Sequence, residues 1–371
     1  MVPGVARVSP EPDGLLRQLQ ARIAAAGPIG IDAYMEAALL DPRWGYYTRR
    51  DPLGARGDFI TAPEVSQVFG ELIGLWCAEL WQRMGAPDPV ILAELGPGRG
   101  TLMRDALRAA RVLPGFGRAA RLHLIERSPV LRRAQAAALA DAAPQWHDVL
   151  ADLPPGPLLL VANEFLDALP IRQFVRHGDG WHERRVVLAE DGGLAFAIDP
   201  SPRADHGIAG ALADAPLGSV AETRAPAQAL ARQLGARLAA SGGAALFIDY
   251  GHGESACGDT LQAVRQHYRH DVLSDPGSAD LTAHVDFAAF AAAAEGARVW
   301  GPVTQGAFLR ALGIAARTDA LSARATPDQA RLLASGTRRL VDPATMGRLF
   351  KVLALSGRAT PPLAGFVMEE T

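Results

Sequence analysis

Lysine is nearly absent from this chain: among its 37 basic residues, Lys351 is the only lysine. Arginine takes its place, and alanine is abundant. That bias points to a GC-rich coding sequence more than to an RNA-binding surface. With 40 acidic residues the formal net charge is -3, which argues against a nucleic-acid partner held by bulk electrostatics, because such binding depends on cations that neutralise phosphates. Cysteine is scarce as well. Cys77 and Cys257 are too few and too scattered for a disulfide framework or a zinc site, so no metal is expected and a reducing compartment is. No apolar run approaches membrane-spanning length, so no membrane insertion is expected. The first residues lack an apolar stretch of the signal-peptide kind, and Glu11 and Asp13 count against a transit peptide. The expected location is therefore a bacterial-type cytoplasm.

What is present is enough apolar material for a large core. The chain has 371 residues, 49% hydrophobic and 21% charged, which suits one big domain with insertions or a domain and a half. Its organising stretch runs from Val90 to Asp105. Val90 to Leu95 form a short apolar run that suits a buried strand, and Thr101 to Arg111 carry Leu102, Ala106 and Leu107 at helical spacing. Gly96, Gly98 and Gly100 lie between them. A strand that turns into a helix through glycines lets a ligand reach bare backbone and the N–H groups of the helix N-terminus.

Spacing narrows the ligand. Dinucleotide folds use G-x-G-x-x-G, where the third glycine allows close packing of helix on strand. Here Gly100 comes one residue early and Thr101 stands at the expected third-glycine position. Glu94, two residues before Gly96, would repel a pyrophosphate but would tolerate a zwitterionic amino acid with a cationic sulfur. The E-x-G-x-G-x-G pattern resembles the first motif of class I S-adenosylmethionine (SAM) methyltransferases. The alternative is an ordinary glycine-rich turn.

Along the chain, helical patterns over Leu15 to Ala26, from Asp32, and over Val65 to Met84 make residues 1–88 a helical lead-in. Strands are expected near 90–96, 121–126, 145–149 and 157–163, with helices near 101–111 and 128–140; this alternation predicts a parallel sheet covered on both faces. Residues 89–169 form the first part of that core. Residues 170–240, with turns at Gly178-Asp179-Gly180 and Asp191-Gly192-Gly193, suggest an insertion of β-hairpins and a helix. Residues 241–371 complete the core, with a strand over Ala244 to Tyr250, a polar surface loop from Gly251 to Ala283, and helices that include Met346 to Leu355.

Several polar residues fall at strand ends, where open α/β sheets bind ligands. Glu126 ends the second strand and suits both hydroxyls of a ribose, or else an ion pair with Arg127. Asp148, after the third strand, suits the exocyclic amine of adenine, or a cap or turn. Leu158-Leu-Leu-Val-Ala-Asn-Glu-Phe-Leu-Asp167 sets Asn163, Glu164 and Asp167 beside the glycine loop. Two carboxylates there match the rigid, always-charged fork of a guanidinium, and would act by alignment and local field more than as an activated base. In the competing structural reading Asp167 is a helix cap and Glu164 an ion-pair partner. His284, with Asp286, suits a proton acceptor, although Asp286 also suits the cap of a helix starting at Phe287. Trp44, Tyr46 and Tyr47 suit an aromatic core or a stack on a guanidinium.

Gly57-Asp-Phe-Ile-Thr-Ala-Pro-Glu-Val-Ser66, Glu94-Leu-Gly-Pro-Gly-Arg-Gly-Thr101, Asn163-Glu-Phe-Leu-Asp-Ala-Leu-Pro170, Asp249-Tyr-Gly251 and Leu281-Thr-Ala-His-Val-Asp-Phe287 resemble, in order, the signatures of the MidA-like family over roughly residues 27 to 355. The resemblance implies an α/β fold: a class I SAM-methyltransferase, Rossmann-like, doubly wound sheet, here with a helical N-terminal lead-in and an inserted β-hairpin and helix subdomain. It implies SAM as cofactor, a protein arginine as acceptor, and a link to assembly of respiratory complex I through a core subunit. It also implies that Gly57, Asp58 and Thr61 belong to the cofactor site, while Thr61 and Glu64 by spacing alone form a capping box. A non-catalytic SAM-binding assembly factor and an NAD(P)-dependent oxidoreductase are the alternatives. A homodimer is left open.

Overall fold

The computed structural model describes residues 14–49 and 61–366, and their contacts divide into two units. The larger contains residues 61–169, Ala225–Ala256 and 284–366. At its centre is an eight-stranded sheet in the spatial order Arg298–Thr304, Phe350–Ser356, Gly243–His252, Leu158–Asn163, Val90–Leu95, Ala120–Ile125 and Gln145–His147, with Val285–Asp286 beside the end of Gly243–His252. The strands from Gly243–His252 to Gln145–His147 run parallel. Phe350–Ser356 is antiparallel to both of its neighbours.

Parallel strands are covered on both faces, so their sequences are apolar without interruption. Val90–Leu95 and Leu158–Asn163 are buried at every position. Alternate side chains serve opposite faces. Leu92, Leu124, Leu159, Val161 and Leu246 share a core with helices Gln67–Arg83 and Thr101–Ala110, whereas Ala93, Leu95, Leu160, Ala245 and Phe247 share one with helices Ala225–Ser241 and Phe287–Ala293. The chain enters the sheet at Val90–Leu95, builds outward to Ala120–Ile125 and Gln145–His147, then crosses back to Leu158–Asn163 on the other side. Strand order therefore reverses between Val90–Leu95 and Leu158–Asn163, and a crevice opens beyond their carboxyl ends.

Helix Gln67–Arg83 starts at Ser66, whose hydroxyl accepts the Val68 N–H at 3.3 Å. It lies against Thr101–Ala110 at glycine distance. A Cβ on Gly74 would stand 2.2 Å from the Ala106 carbonyl oxygen, and one on Gly70 would stand 2.9 Å from that of Leu102. Between the two glycines Glu71, 1% exposed, receives Arg108 at 2.8 Å and Arg317 at 2.7 Å. This seam fixes the glycine-loop helix against the rest of the unit.

The smaller unit contains residues 14–49, Pro170–Arg224 and Cys257–Ala283. Ile29–Gly30, Gly180–Leu188, Arg172–His177 and Val220–Thr223 form an antiparallel sheet, with Leu194–Pro202 paired to Gly180–Leu188. Tyr46 is fully buried, and the Tyr47 hydroxyl donates to Asp280 at 2.7 Å.

This division differs from the consecutive blocks expected at 1–88, 89–169, 170–240 and 241–371. Residues 14–49 group with Pro170–Arg224 because Ile29 and Gly30 pair with Val186 and Arg185. Helix Ala225–Ser241 groups with the large sheet because Ala227, Ala231, Leu234 and Leu238 are buried in its core. Two local expectations also change. The stretch from Met346 to Leu355 is helical only over Met346–Leu349 and continues as strand Phe350–Ser356; a strand buried on both faces lacks the polar alternation that would mark it. The polar stretch after Gly251 holds short antiparallel strands, Gln262–Arg265, Tyr268–His270 and Asp280–Thr282.

Gly74→Val is expected to force the two helices apart and to lower stability by roughly 3 kcal/mol in urea denaturation; an unchanged midpoint would show that the close seam is not required.

Candidate active site

Beyond Leu95 the chain turns through Gly96, Gly98 and Gly100 at φ of 59°, 52° and 80°. These are left-handed conformations that cost a residue with a side chain. At Gly96 the restriction is also spatial, since a Cβ would lie 2.8 Å from the Phe165 ring. Gly100 is the N-cap of Thr101–Ala110 and supplies no side-chain cap, so the N–H groups of the first turn are left for a ligand. Gln135, fully buried, ties the loop to the next strand: its amide donates to the Gly98 carbonyl at 2.7 Å and to Glu126 at 3.2 Å, and it accepts the Trp146 indole N–H at 2.8 Å.

One cleft is lined by Thr61, Glu64, Glu94, Gly96, Gly98 and Asn163, together with Thr101. Glu94 is 3% exposed, and its Oε2 has no hydrogen-bond partner among the described residues. Burial, helped by the charge of Glu126, pushes its pKa up to about 8. Asn163 Oδ1 is likewise buried without a partner, while its Nδ2 donates to Glu164 Oε1 at 3.0 Å. Two orphaned acceptors in one cleft suit a ligand that brings donors and positive charge. Thr61 begins the short helix Ala62–Val65 without a side-chain cap bond. The capping box expected from T-x-x-E does not form, because Glu64 instead accepts the Thr101 hydroxyl at 2.6 Å.

At the end of Leu158–Asn163 the chain makes a second tight turn. Glu164 adopts φ of 51°, an uncommon conformation for a residue with a side chain and one that gathers at functional sites. Its Oε1 accepts the Ala62 N–H at 3.2 Å as well as the Asn163 amide. Burial, and then the charge of Asp167, push its pKa up to about 7; Ala62, Asn163 and Arg339 oppose the rise. Asp167, 5% exposed, accepts the Ala168 N–H at 2.8 Å. Behind both lies Asp249, 1% exposed. Its Oδ2 accepts the N–H groups of Phe165, Leu166 and Asp167 at 3.1, 2.9 and 3.2 Å, and its Oδ1 that of Tyr250 at 2.9 Å. Burial and the charges of Asp167 and Glu164 push its carboxyl well above the usual range, against those N–H bonds. The three acids crowd one another, and a cation among them would relieve the repulsion.

The remaining expected site residues are placed as follows. Glu126 accepts the Ser128 N–H at 2.7 Å and the Gln135 amide; no ion pair with Arg127 forms among the described contacts. Asp148 is exposed and pairs with Arg132 at 2.6 Å. His284 meets the Tyr250 ring edge-on at 5.6 Å and does not line the cleft, while Asp286 caps Phe287–Ala293 by accepting the Ala289 N–H at 2.9 Å. Gly57 and Asp58 lie outside the described residues. Asp249 and Gln135 escape the sequence-based site. An apolar strand that ends in a carboxylate was available as a signal for Asp249, whereas nothing in its surroundings distinguishes Gln135 from any other helical glutamine.

Comparisons with known proteins bear on the family and the fold. A family model described as "Putative S-adenosyl-L-methionine-dependent methyltransferase" matches residues 72–303. The chain is 39% identical over 380 residues to the Drosophila melanogaster protein named protein arginine methyltransferase NDUFAF7 homolog, mitochondrial, which covers 92% of this chain and 84% of that one. It is 36% identical over 367 residues to the human protein arginine methyltransferase NDUFAF7, mitochondrial, covering 92% and 83%. Among solved structures, a Burkholderia thailandensis protein bound to S-adenosyl-homocysteine matches with a TM-score of 0.82 at 32% identity, over 98% of this chain and 97% of that one.

Glu94 should make stability fall with pH. Its folded pKa of about 8 exceeds the ordinary 4.5, so its contribution is complete below 4.5 and is lost as pH rises through about 8, at up to about 1.4 kcal/mol per unit. Glu94→Gln should flatten that slope in denaturation series; an unchanged slope would contradict the burial argument. Asp249→Ala strips the acceptor from the 165–167 turn and should cost about 3 kcal/mol, read in the same assay, and wild-type stability would remove Asp249 as the anchor.

Proposed function

Because the chain belongs to the S-adenosyl-L-methionine-dependent methyltransferase family, we propose that it methylates an arginine side chain of a protein substrate. The crowded acids Glu164, Asp167 and Asp249 carry this reading, because a buried cluster of acids beside the cofactor cleft, able to ionise when a cation arrives, suits an acceptor that stays cationic.

The cofactor is SAM, which when bound supplies a methyl group on a positively charged sulfur. The residues present fit it: Glu94 Oε2 and Asn163 Oδ1 are unpartnered acceptors, and the Gly96, Gly98 and Gly100 turn leaves bare backbone at a helix N-terminus. Thr61, Gly57 and Asp58 complete the proposed cofactor set, with Glu126 toward the ribose and Asp148 toward the base.

On the acceptor side, Glu164 and Asp167 take guanidinium N–H groups, fix the plane of the fork, and hold positive charge on the nitrogens they bind. The remaining nitrogen keeps more of its lone pair and is aligned for attack. Positioning and field supply the advantage, and no strong base is needed to begin the reaction. His284 is the proposed group that receives the released proton.

The resemblance to the MidA-like family extends the proposal to a core subunit of respiratory complex I as substrate, and to a role in assembly of that complex. Among the described residues no helix is long and apolar enough to cross a membrane. The relatives are named mitochondrial, and for location we propose only a compartment shared with the substrate, of which the bacterial-type cytoplasm is the setting expected from the sequence.

The direct test is labelled-methyl transfer from SAM into lysate of cells lacking this protein, followed by identification of the modified residue. Label on arginine supports the reading, and label confined to small molecules, nucleic acid or other side chains overturns it. Glu164→Gln is expected to keep SAM affinity and to lower turnover roughly a hundredfold or more. In the wild type kcat/KM should rise as pH increases through about 7, where Glu164 ionises, and then level off; Glu164→Gln should lose that inflection, and its retention would assign the titration elsewhere.

A further inference from the structure

A second pocket, of about 530 Å³, adjoins the cofactor cleft. Glu64 and Thr101 belong to the walls of both, so the hydrogen bond between them separates the two spaces. Its apolar surface comes from Val65, Leu321 and Leu333, with Leu332 at 73% exposure. Two guanidinium groups, Arg104 and Arg324, also line it, and Arg324 is exposed. Of the acids in the walls, Glu64 accepts the Thr101 hydroxyl, and Asp105, 1% exposed, pairs through Oδ1 with Arg104 and Arg108 while its Oδ2 has no partner among the described residues. An apolar surface edged by the exposed Arg324 guanidinium complements an apolar side chain followed by a carboxylate.

One helix joins this pocket to the acidic cluster. Pro327–Val341 contributes Leu332 and Leu333 to the pocket and packs Gly336 on the turn below, where a Cβ would stand 2.9 Å from the Val65 carbonyl oxygen. Further along the same helix, Arg339 is close enough to act on the charge of Glu164. The seven helical steps from Leu332 to Arg339 rise about 10 Å, which is roughly the reach of three residues of extended chain.

We propose that this pocket docks the protein substrate, seating an apolar side chain, followed by an acidic one, roughly three residues from the arginine to be methylated. The proposal rests on the arginine reading given above, and it places sequence selection outside the residues that meet the guanidinium.

The test uses labelled glycine–serine peptides that carry one arginine and a leucine–glutamate pair placed at increasing distance from it. Binding to the full chain is read by fluorescence anisotropy in the presence of S-adenosyl-homocysteine. The tightest binding is expected with leucine roughly three residues from arginine. Leu332→Asp, a change at an exposed position, should weaken that peptide about tenfold while leaving an alanine-for-leucine peptide and S-adenosyl-homocysteine affinity unchanged. Arg324→Glu should remove the preference for glutamate. Affinity indifferent to the position of leucine, equal weakening of every peptide by Leu332→Asp, or no binding at all would overturn the pocket. Methyl transfer measured in parallel separates the two ideas: position-dependent binding without transfer sinks arginine methylation and leaves the pocket, whereas transfer indifferent to leucine sinks the pocket and leaves the methylation.

Discussion

The repulsion among Glu164, Asp167 and Asp249 is the constraint on which the rest of the structure depends. Buried carboxyls of like charge cannot all ionise cheaply: the charge of Asp167 raises the pKa of Glu164, and those of Asp167 and Glu164 raise that of Asp249. Such an arrangement lowers the stability of the unliganded chain, and it persists because backbone N–H groups from the 165–167 turn converge on Asp249 and hold that turn in place. The fold accepts negative charge here that a cation would balance. Glu164, in a left-handed conformation beside the cleft, extends the same strain to the position where an acceptor would sit.

Sheet topology explains why this cluster meets the glycine loop at all. The strand order reverses between Val90–Leu95 and Leu158–Asn163, so the residues that follow them, Gly96 and Glu164, emerge next to each other. Phe165 then closes over Gly96 at a distance that excludes any larger residue. The seam of Gly70, Glu71 and Gly74 against Thr101–Ala110 fixes the helix whose N-terminus the loop presents. The glycine loop and the acidic cluster thus meet at one crevice, which is lined by the unpartnered acceptors of Glu94 and Asn163.

Much of this was legible in the sequence, for reasons that can be named. Gly96, Gly98 and Gly100 are informative because few residues tolerate their backbone angles, and Asn163-Glu164 because they end an apolar strand at the edge where open α/β sheets bind ligands. Thr61 and Glu64 misled for a physical reason: local spacing suggests a capping box, yet a partner in another element, Thr101, takes the Glu64 carboxylate. Asp148 follows the third strand as expected, but an exposed ion pair with Arg132 is its partner in this structure. The last strand, Phe350–Ser356, resembles a helix because both of its faces are buried. The role of Asp249 was hidden because its partners are backbone N–H groups more than eighty residues away in sequence. Grouping of residues 14–49 with Pro170–Arg224 is equally invisible to a reading that proceeds along the chain.

If the acidic cluster takes up a guanidinium, it does so by giving up a proton. Calorimetric titration of an arginine peptide into the protein saturated with S-adenosyl-homocysteine, at pH 6.5 in buffers of different ionisation enthalpy, measures that proton directly. With Glu164 near 7 in the free protein, binding should release a substantial fraction of one proton, and Glu164→Gln should abolish much of the release. Binding with no proton released, or with proton uptake, would contradict the claim that these carboxyls wait for a cation.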